Sequence, residues 1–175
     1  MATQISIDIE TLGATTGSQI LSIGACSFNA KGDILDKFYG VVDFNDNYEV
    51  VATVGTLTFW IGQPEEAVSA IFNSKDKMPE FQLLSELSNW IKAKKQPEIW
   101  ANGTKFDLGM LEETYRKHKK VAPWSFNADR CMRTLRKFAG NLDVDYEGLP
   151  HYALDDAIWQ AKYIALACKK LGLKL

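Results

Sequence analysis

Cysteine is scarce in this chain of 175 residues, with three in all. Cys26, Cys131 and Cys168 are odd in number, widely spaced and without a CxxC pair, so they support neither a disulfide framework nor a zinc site. Long apolar runs are missing too. None approaches the roughly 18 to 20 residues needed to cross a bilayer, and the opening MATQISIDIE lacks the basic and apolar regions of a signal peptide. A cytoplasmic protein without a membrane partner is the expectation. No repeat, low-complexity tract or Pro/Gly/Ser-rich linker divides the sequence, which leads to one domain over 1–175. Nor does one sign of charge dominate. Twenty Lys and Arg face 22 Asp and Glu, and the formal net charge of -2 argues against indiscriminate polyanion binding while leaving a local site open. What is present is a 46% hydrophobic composition, sufficient for a sizeable core.

The first third reads as strands. Ile5, Ile7 and Ile9 alternate with Ser6, Asp8 and Glu10, extended runs follow at 20–28 and 34–42, and NAKGD supplies the tight turn of an antiparallel meander. After a polar stretch around 45–47, TLTFWIGQPEEAVSAIF is helical in two pieces, with Pro64 near a helix start and Glu65 and Glu66 in its first turn. Leu84, Leu87, Trp90 and Ile91 recur at helical spacing in a segment from 79 to 94 that ends in the basic KAKK. EIWANG is a short buried strand, and helices are expected over 106–118, 128–138 and 152–171. Strands first, then helices alternating with a strand, indicate an α/β sandwich with a mixed sheet.

Asp8 and Glu10 lie two apart in the first strand, so both side chains leave the face opposite Ile5, Ile7 and Ile9. Two carboxylates this close repel unless a cation lies between them, and hard oxygen donors suit Mg²⁺ or Mn²⁺ better than zinc. Taken singly, the pair also reads as a solvated strand face. Asp107 opens a helix after a polar loop containing Asn102, where it also reads as a dipole partner. His151 and Asp156 stand at the start of the last helix, with Asp155 as an adjacent alternative to Asp156.

In combination, D-x-E at Asp8 and Glu10, Asn102-x4-Asp107 and His151-x4-Asp156 resemble the three motifs of the DEDDh 3'-to-5' exonucleases. ISIDIETLG followed by ILSIGACSF is similar to that family's opening, and HYALDDA to its closing H-x-A-x-x-D-A. TLTFWIGQPEEA and WANGTKFDLGMLEE look like the compact branch containing phage exonucleases and a mycobacterial exoribonuclease. The resemblance implies a ribonuclease-H-like mixed β-sheet flanked by helices, with the first three strands antiparallel and Asp8 on a central strand. It also implies a metal-dependent 3'-to-5' exonuclease acting on single-stranded DNA or RNA ends and releasing nucleoside monophosphates, with an exoribonuclease specific for RNA ends or a non-catalytic nucleic-acid-binding module of the same fold as the alternatives. Two ions, Mg²⁺ or Mn²⁺, would be held by Asp8, Glu10, Asp107 and Asp156, since a pair of ions can stabilise both oxygens of the displacement. His151 would be the general base, with Asp155 an exposed neighbour. Thr11, Leu12 and Gly13 would meet the terminal nucleotide, with Leu12 as a wedge between the last bases. A homodimer and a phage or bacterial source are further implications of the branch.

Trp60 and Phe106 are candidates for stacking on bases, with core packing as the plainer alternative. Between Lys105 and Lys137, nine basic residues face four acidic ones, a local excess of five positive charges that suits a phosphate backbone. Within it, Arg130 and Arg133, one turn apart on the expected helix, are the candidates for phosphate contact.

Overall fold

The computed structural model describes residues 3–45 and 49–175; part of the polar stretch around 45–47 lies outside them. Among the described residues the order is β1 (Gln4–Thr11), β2 (Ile20–Phe28), β3 (Ile34–Asp43), α1 (Val54–Ile61), α2 (Glu65–Phe72), β4 (Lys77–Pro79), α3 (Glu80–Lys92), β5 (Glu98–Ala101), α4 (Asp107–Lys117), β6 (Asp129–Cys131), α5 (Met132–Ala139) and α6 (Ala153–Leu171). The strands form one mixed sheet in the order β4-β3-β2-β1-β5-β6. β1, β2 and β3 are antiparallel, while β4, β5 and β6 run parallel to β3, β1 and β5. The turn between β2 and β3 closes because the Asn29 side chain accepts the backbone N–H groups of Lys31 and Asp33.

The period of two in β1 separates two layers. Ile5, Ile7 and Ile9 are buried against Leu83, Leu84 and Leu87 of α3 and Leu108 and Leu111 of α4. On the other face, Cys26 and Phe28 pack with Met132 and Leu135 of α5 and Ile164 of α6. Each such aliphatic side chain contributes about 1.5–3 kcal/mol by leaving water.

The expected helix over 128–138 begins later than its pattern implies. Residues Asp129–Cys131 extend the sheet as β6, and α5 starts at Met132. The backbone N–H of Ile99 donates to the Ala128 carbonyl, and Trp100 pairs with Arg130, so ladder formation with β5 overrides local helix propensity. β4 is a second short strand that only a distant partner, β3, stabilises.

Two features of the sheet prepare a cleft. The β1–β5 ladder ends at Ser6 and Trp100, yet β1 runs on to Thr11 with β2 alone beside it. Directly across from Asp8 in β2 is Gly24, where a Cβ would collide with the backbone of Ala153 and Leu154. The missing side chain lets the first turn of α6 settle onto the sheet next to Asp8.

Candidate active site

Asp8 and Glu10 project from β1 toward α6, and Gln160 of α6 donates through Nε2 to Asp8 Oδ1 at 2.7 Å. The first turn of α6 carries Asp156, and its entry carries His151. Asp107 comes from the start of α4, into the gap that β5 leaves beside β1. Its carboxylate, 3% exposed, accepts N–H groups from Gly103 and from Ile9 of β1. All four carboxylates and His151 line one cavity of about 440 Å³, together with Asn102, Phe106 and Arg133. One ligand atom each from Glu10, His151 and Asp156 lie within 4.8 Å of one another.

Burial and mutual repulsion set the electrostatics. Asp8 is held well above the usual carboxylate range, first by burial and then by Asp107, Glu10 and Asp156. Burial, reinforced by Asp156 and Asp107, pushes Glu10 up to about 9. Burial also raises Asp107, against the hydrogen bonds it accepts and the nearby Arg133, and it raises Asp156, against Tyr146 and His151. A concentration of acids held this unfavourably, with Gln160 Oε1 buried beside them without a hydrogen-bond partner among the described residues, fits a cation of hard character.

The other sequence candidates separate into those that face the cavity and those that do not. Arg133 lines the main cavity and a neighbouring one of about 330 Å³ that also holds Lys105 and Cys131. Phe106 borders both, and a third cavity of about 330 Å³ lined by Thr11, Gly13 and Phe59. The three share Phe106 as a common lining residue and together outline one groove. Leu12 does not project as a wedge: it is 5% exposed and packs with Leu21, Val41, Trp60 and Ile71. Trp60 is 4% exposed in the same cluster, and its indole N–H donates to the Thr11 carbonyl at 2.9 Å, so it fixes the β1 end and contributes only a small exposed part to the lining of the third cavity. Phe59 is the more exposed aromatic there, and its ring meets the His151 ring edge-on at 4.9 Å. Arg130 sits in β6 rather than on a helix with Arg133. Its guanidinium is engaged by Glu98 at 2.6 Å and by the carbonyls of Asn127 and Asp129, which leaves it committed to the sheet edge.

Two further residues were not among the sequence candidates, and a third, Asp155, sits differently from its expectation. Gln160 follows Asp156 by four positions, a helical spacing that places both on one face. Tyr146 donates to Asp156 Oδ1 at 2.9 Å; nothing in its local sequence signals that contact. Asp155, expected to be exposed, is half-buried, and its carboxylate accepts the Leu149 N–H at 2.9 Å.

Solved structures of several nucleases share the fold. The nuclease domain of 3'hExo, a DEDDh family member bound to rAMP, aligns with a TM-score of 0.64 at 17% identity, over 99% of this chain and 94% of that one. Exonuclease I of E. coli in complex with a dA16 oligonucleotide gives a TM-score of 0.72 at 12% identity, over 98% of this chain and 42% of that one. Cell-death related nuclease 4 gives 0.60 at 13%, over 99% and 66%. The sheet and its flanking helices are accordingly ribonuclease-H-like. No curated protein is matched by the sequence. Residues 3–168 match the 3'-5' exoribonuclease Rv2179c-like domain, and the chain belongs to that family.

Proposed function

We propose that the protein removes nucleoside 5'-monophosphates one at a time from the 3' end of single-stranded RNA, with two divalent cations, Mg²⁺ or Mn²⁺, held by Asp8, Glu10, Asp107 and Asp156. The observation that carries this reading is the convergence of four carboxylates from three separate segments, with His151, on one cavity. Divalent cations bound there supply positive charge against the anionic phosphodiester during displacement. The chain's own residues do the rest. His151 takes a proton from the water whose oxygen attacks phosphorus, while the bond to the 3' oxygen of the preceding nucleotide breaks. A general base of this kind contributes about 10²- to 10⁴-fold. Gln160 holds the Asp8 carboxylate in place by its 2.7 Å hydrogen bond.

The groove supports the choice of substrate. Thr11 and Gly13 at the end of β1, with α1 and its Phe59 beside them, line the part that receives the terminal nucleotide. Arg133 and Lys105 line the part that follows the phosphates of the incoming strand. RNA is favoured over DNA because the family to which the chain belongs is one of exoribonuclease domains.

The test is degradation of 5'-labelled single-stranded RNA and DNA of equal sequence with Mg²⁺, Mn²⁺ or EDTA, beside Asp156→Ala. The expected result is a ladder shortening from the 3' end, faster on RNA, absent with EDTA and in the variant. Internal cleavage, or undiminished activity in Asp156→Ala, would overturn the mechanism, and a faster ladder on DNA would overturn the choice of RNA.

A further inference from the structure

The segment from 141 to 152 that delivers His151 contains no regular element. His151 itself has φ +62°, a region that non-glycine residues seldom adopt, so its surroundings must over-determine it. The peptide groups of Leu149, two residues before it, show how. The Leu149 N–H donates to Asp155 Oδ2 at 2.9 Å. Its carbonyl accepts the Tyr146 hydroxyl at 3.1 Å and the Tyr152 N–H at 3.1 Å. The Tyr146 hydroxyl reaches Asp156 Oδ1 as well, at 2.9 Å, and its ring lies beside Trp159 of α6 with 6.3 Å between centroids. Gly148, at φ +120°, completes the closure, because a Cβ there would collide with the Asp155 carboxylate.

We infer that Asp155 and Tyr146 form a clamp that pins Leu149 to the first turn of α6 and thereby positions the His151 imidazole on the Glu10 and Asp156 side of the cavity. The two consecutive acids of HYALDDA divide their labour: Asp156 faces the cavity, and Asp155 holds the loop that carries the base. Asp155 and Tyr146 are positioning residues, and their role rests on the reading of His151 as the general base.

The experiment compares steady-state cleavage of a 5'-labelled RNA by wild type, Asp155→Ala, Asp155→Asn, Gly148→Ala, His151→Ala and the Asp155→Ala/His151→Ala double variant, with oligonucleotide affinity measured in EDTA. A displaced base costs on the order of 100-fold in rate, so kcat of Asp155→Ala falls by about that factor while KM and affinity hold. Asp155→Asn, whose amide oxygen still accepts the Leu149 N–H, recovers most of the loss. Gly148→Ala keeps the acid but takes its space and reproduces the loss, which serves if Asp155→Ala does not fold. The double variant is no slower than His151→Ala, the non-additivity expected of residues acting through one another. Wild-type kcat in both Asp155→Ala and Gly148→Ala, or an equal further loss in the His151→Ala background, would overturn the clamp. Full activity of His151→Ala would instead overturn the reading of His151 on which it rests.

Discussion

Removing the charge of Glu10 will make the metal-free protein more stable at alkaline pH while destroying its activity. Burial and the neighbouring Asp156 and Asp107 raise this carboxyl from 4.5 to about 9 in the folded state. Below pH 4.5 both folded and unfolded chains carry the proton, and the group contributes no difference. As pH rises through 4.5 the unfolded chain ionises while the folded chain keeps its proton, so folding stability falls until the pH reaches about 9. At about 1.36 kcal/mol per pH unit, the step from pH 5 to pH 8 removes about 4 kcal/mol. For a chain of this size that is a fall of about 8–16 °C in the unfolding midpoint. Asp8, Asp107 and Asp156 are raised too and act with the same sign. Thermal unfolding in EDTA, followed by circular dichroism for wild type and Glu10→Gln from pH 5 to pH 8, reads the difference between the two proteins and so cancels histidine titration common to both. The variant gains on wild type as pH rises. Parallel curves would refute the assignment of a retained proton to Glu10. On the proposed function, Mg²⁺ would bind the folded chain alone and compete with that proton, so the expected stabilisation of wild type by excess Mg²⁺ grows with pH and is much smaller in the variant.

Three other perturbations test the site. Gly24→Ala places a methyl group against the backbone of α6, costs about 1–3 kcal/mol by overpacking and lowers kcat by lifting Asp156 and His151; unchanged melting and turnover would refute the close contact. Arg133→Ala weakens binding of a single-stranded oligonucleotide and reduces the salt slope by about 0.7, whereas Arg130→Ala leaves the slope unaltered because Glu98 occupies its guanidinium; equal slopes for the two variants would refute the division. Asp8→Ala abolishes turnover with the fold retained by circular dichroism, and wild-type rates would remove Asp8 from the mechanism.

The positions of the carboxylates were legible because local rules place them, whereas their assembly into one set came only from the resemblance of the three motifs taken together. The period of two fixes Asp8 and Glu10 on one face, and Asp107 and Asp156 each stand in the first turn of a helix whose pattern is plain. The meander was legible for the same reason, since its turn is short and its strands are neighbours. What escaped depends on contacts between distant segments. β6 exists only through its ladder with β5, and its three residues carry no pattern of their own. Leu12 and Trp60 lie in a satellite core built jointly by β1, β2, β3 and the α1–α2 segment, so burial rather than residue type decides which way they face. Gly24 did leave a signal, a lone glycine in an otherwise apolar strand, whose reason appears only when α6 is laid upon it. Asp155 could not be told from a solvent-facing helix acid without the loop that folds back onto it.

The early end of the β1–β5 ladder has a spectroscopic consequence. Past Ser6, the Ile9 amide donates its hydrogen bond to the Asp107 carboxylate instead of to a neighbouring strand. Its proton is therefore bound to a group whose charge changes on titration or cation binding, unlike the ladder amides of the same strand. In a ¹⁵N-labelled sample the Ile9 resonance and its solvent exchange rate will follow that change, while Ile5, inside the ladder, stays fixed. A single backbone amide thus serves as a built-in gauge of the carboxylate cluster, readable without substrate or turnover.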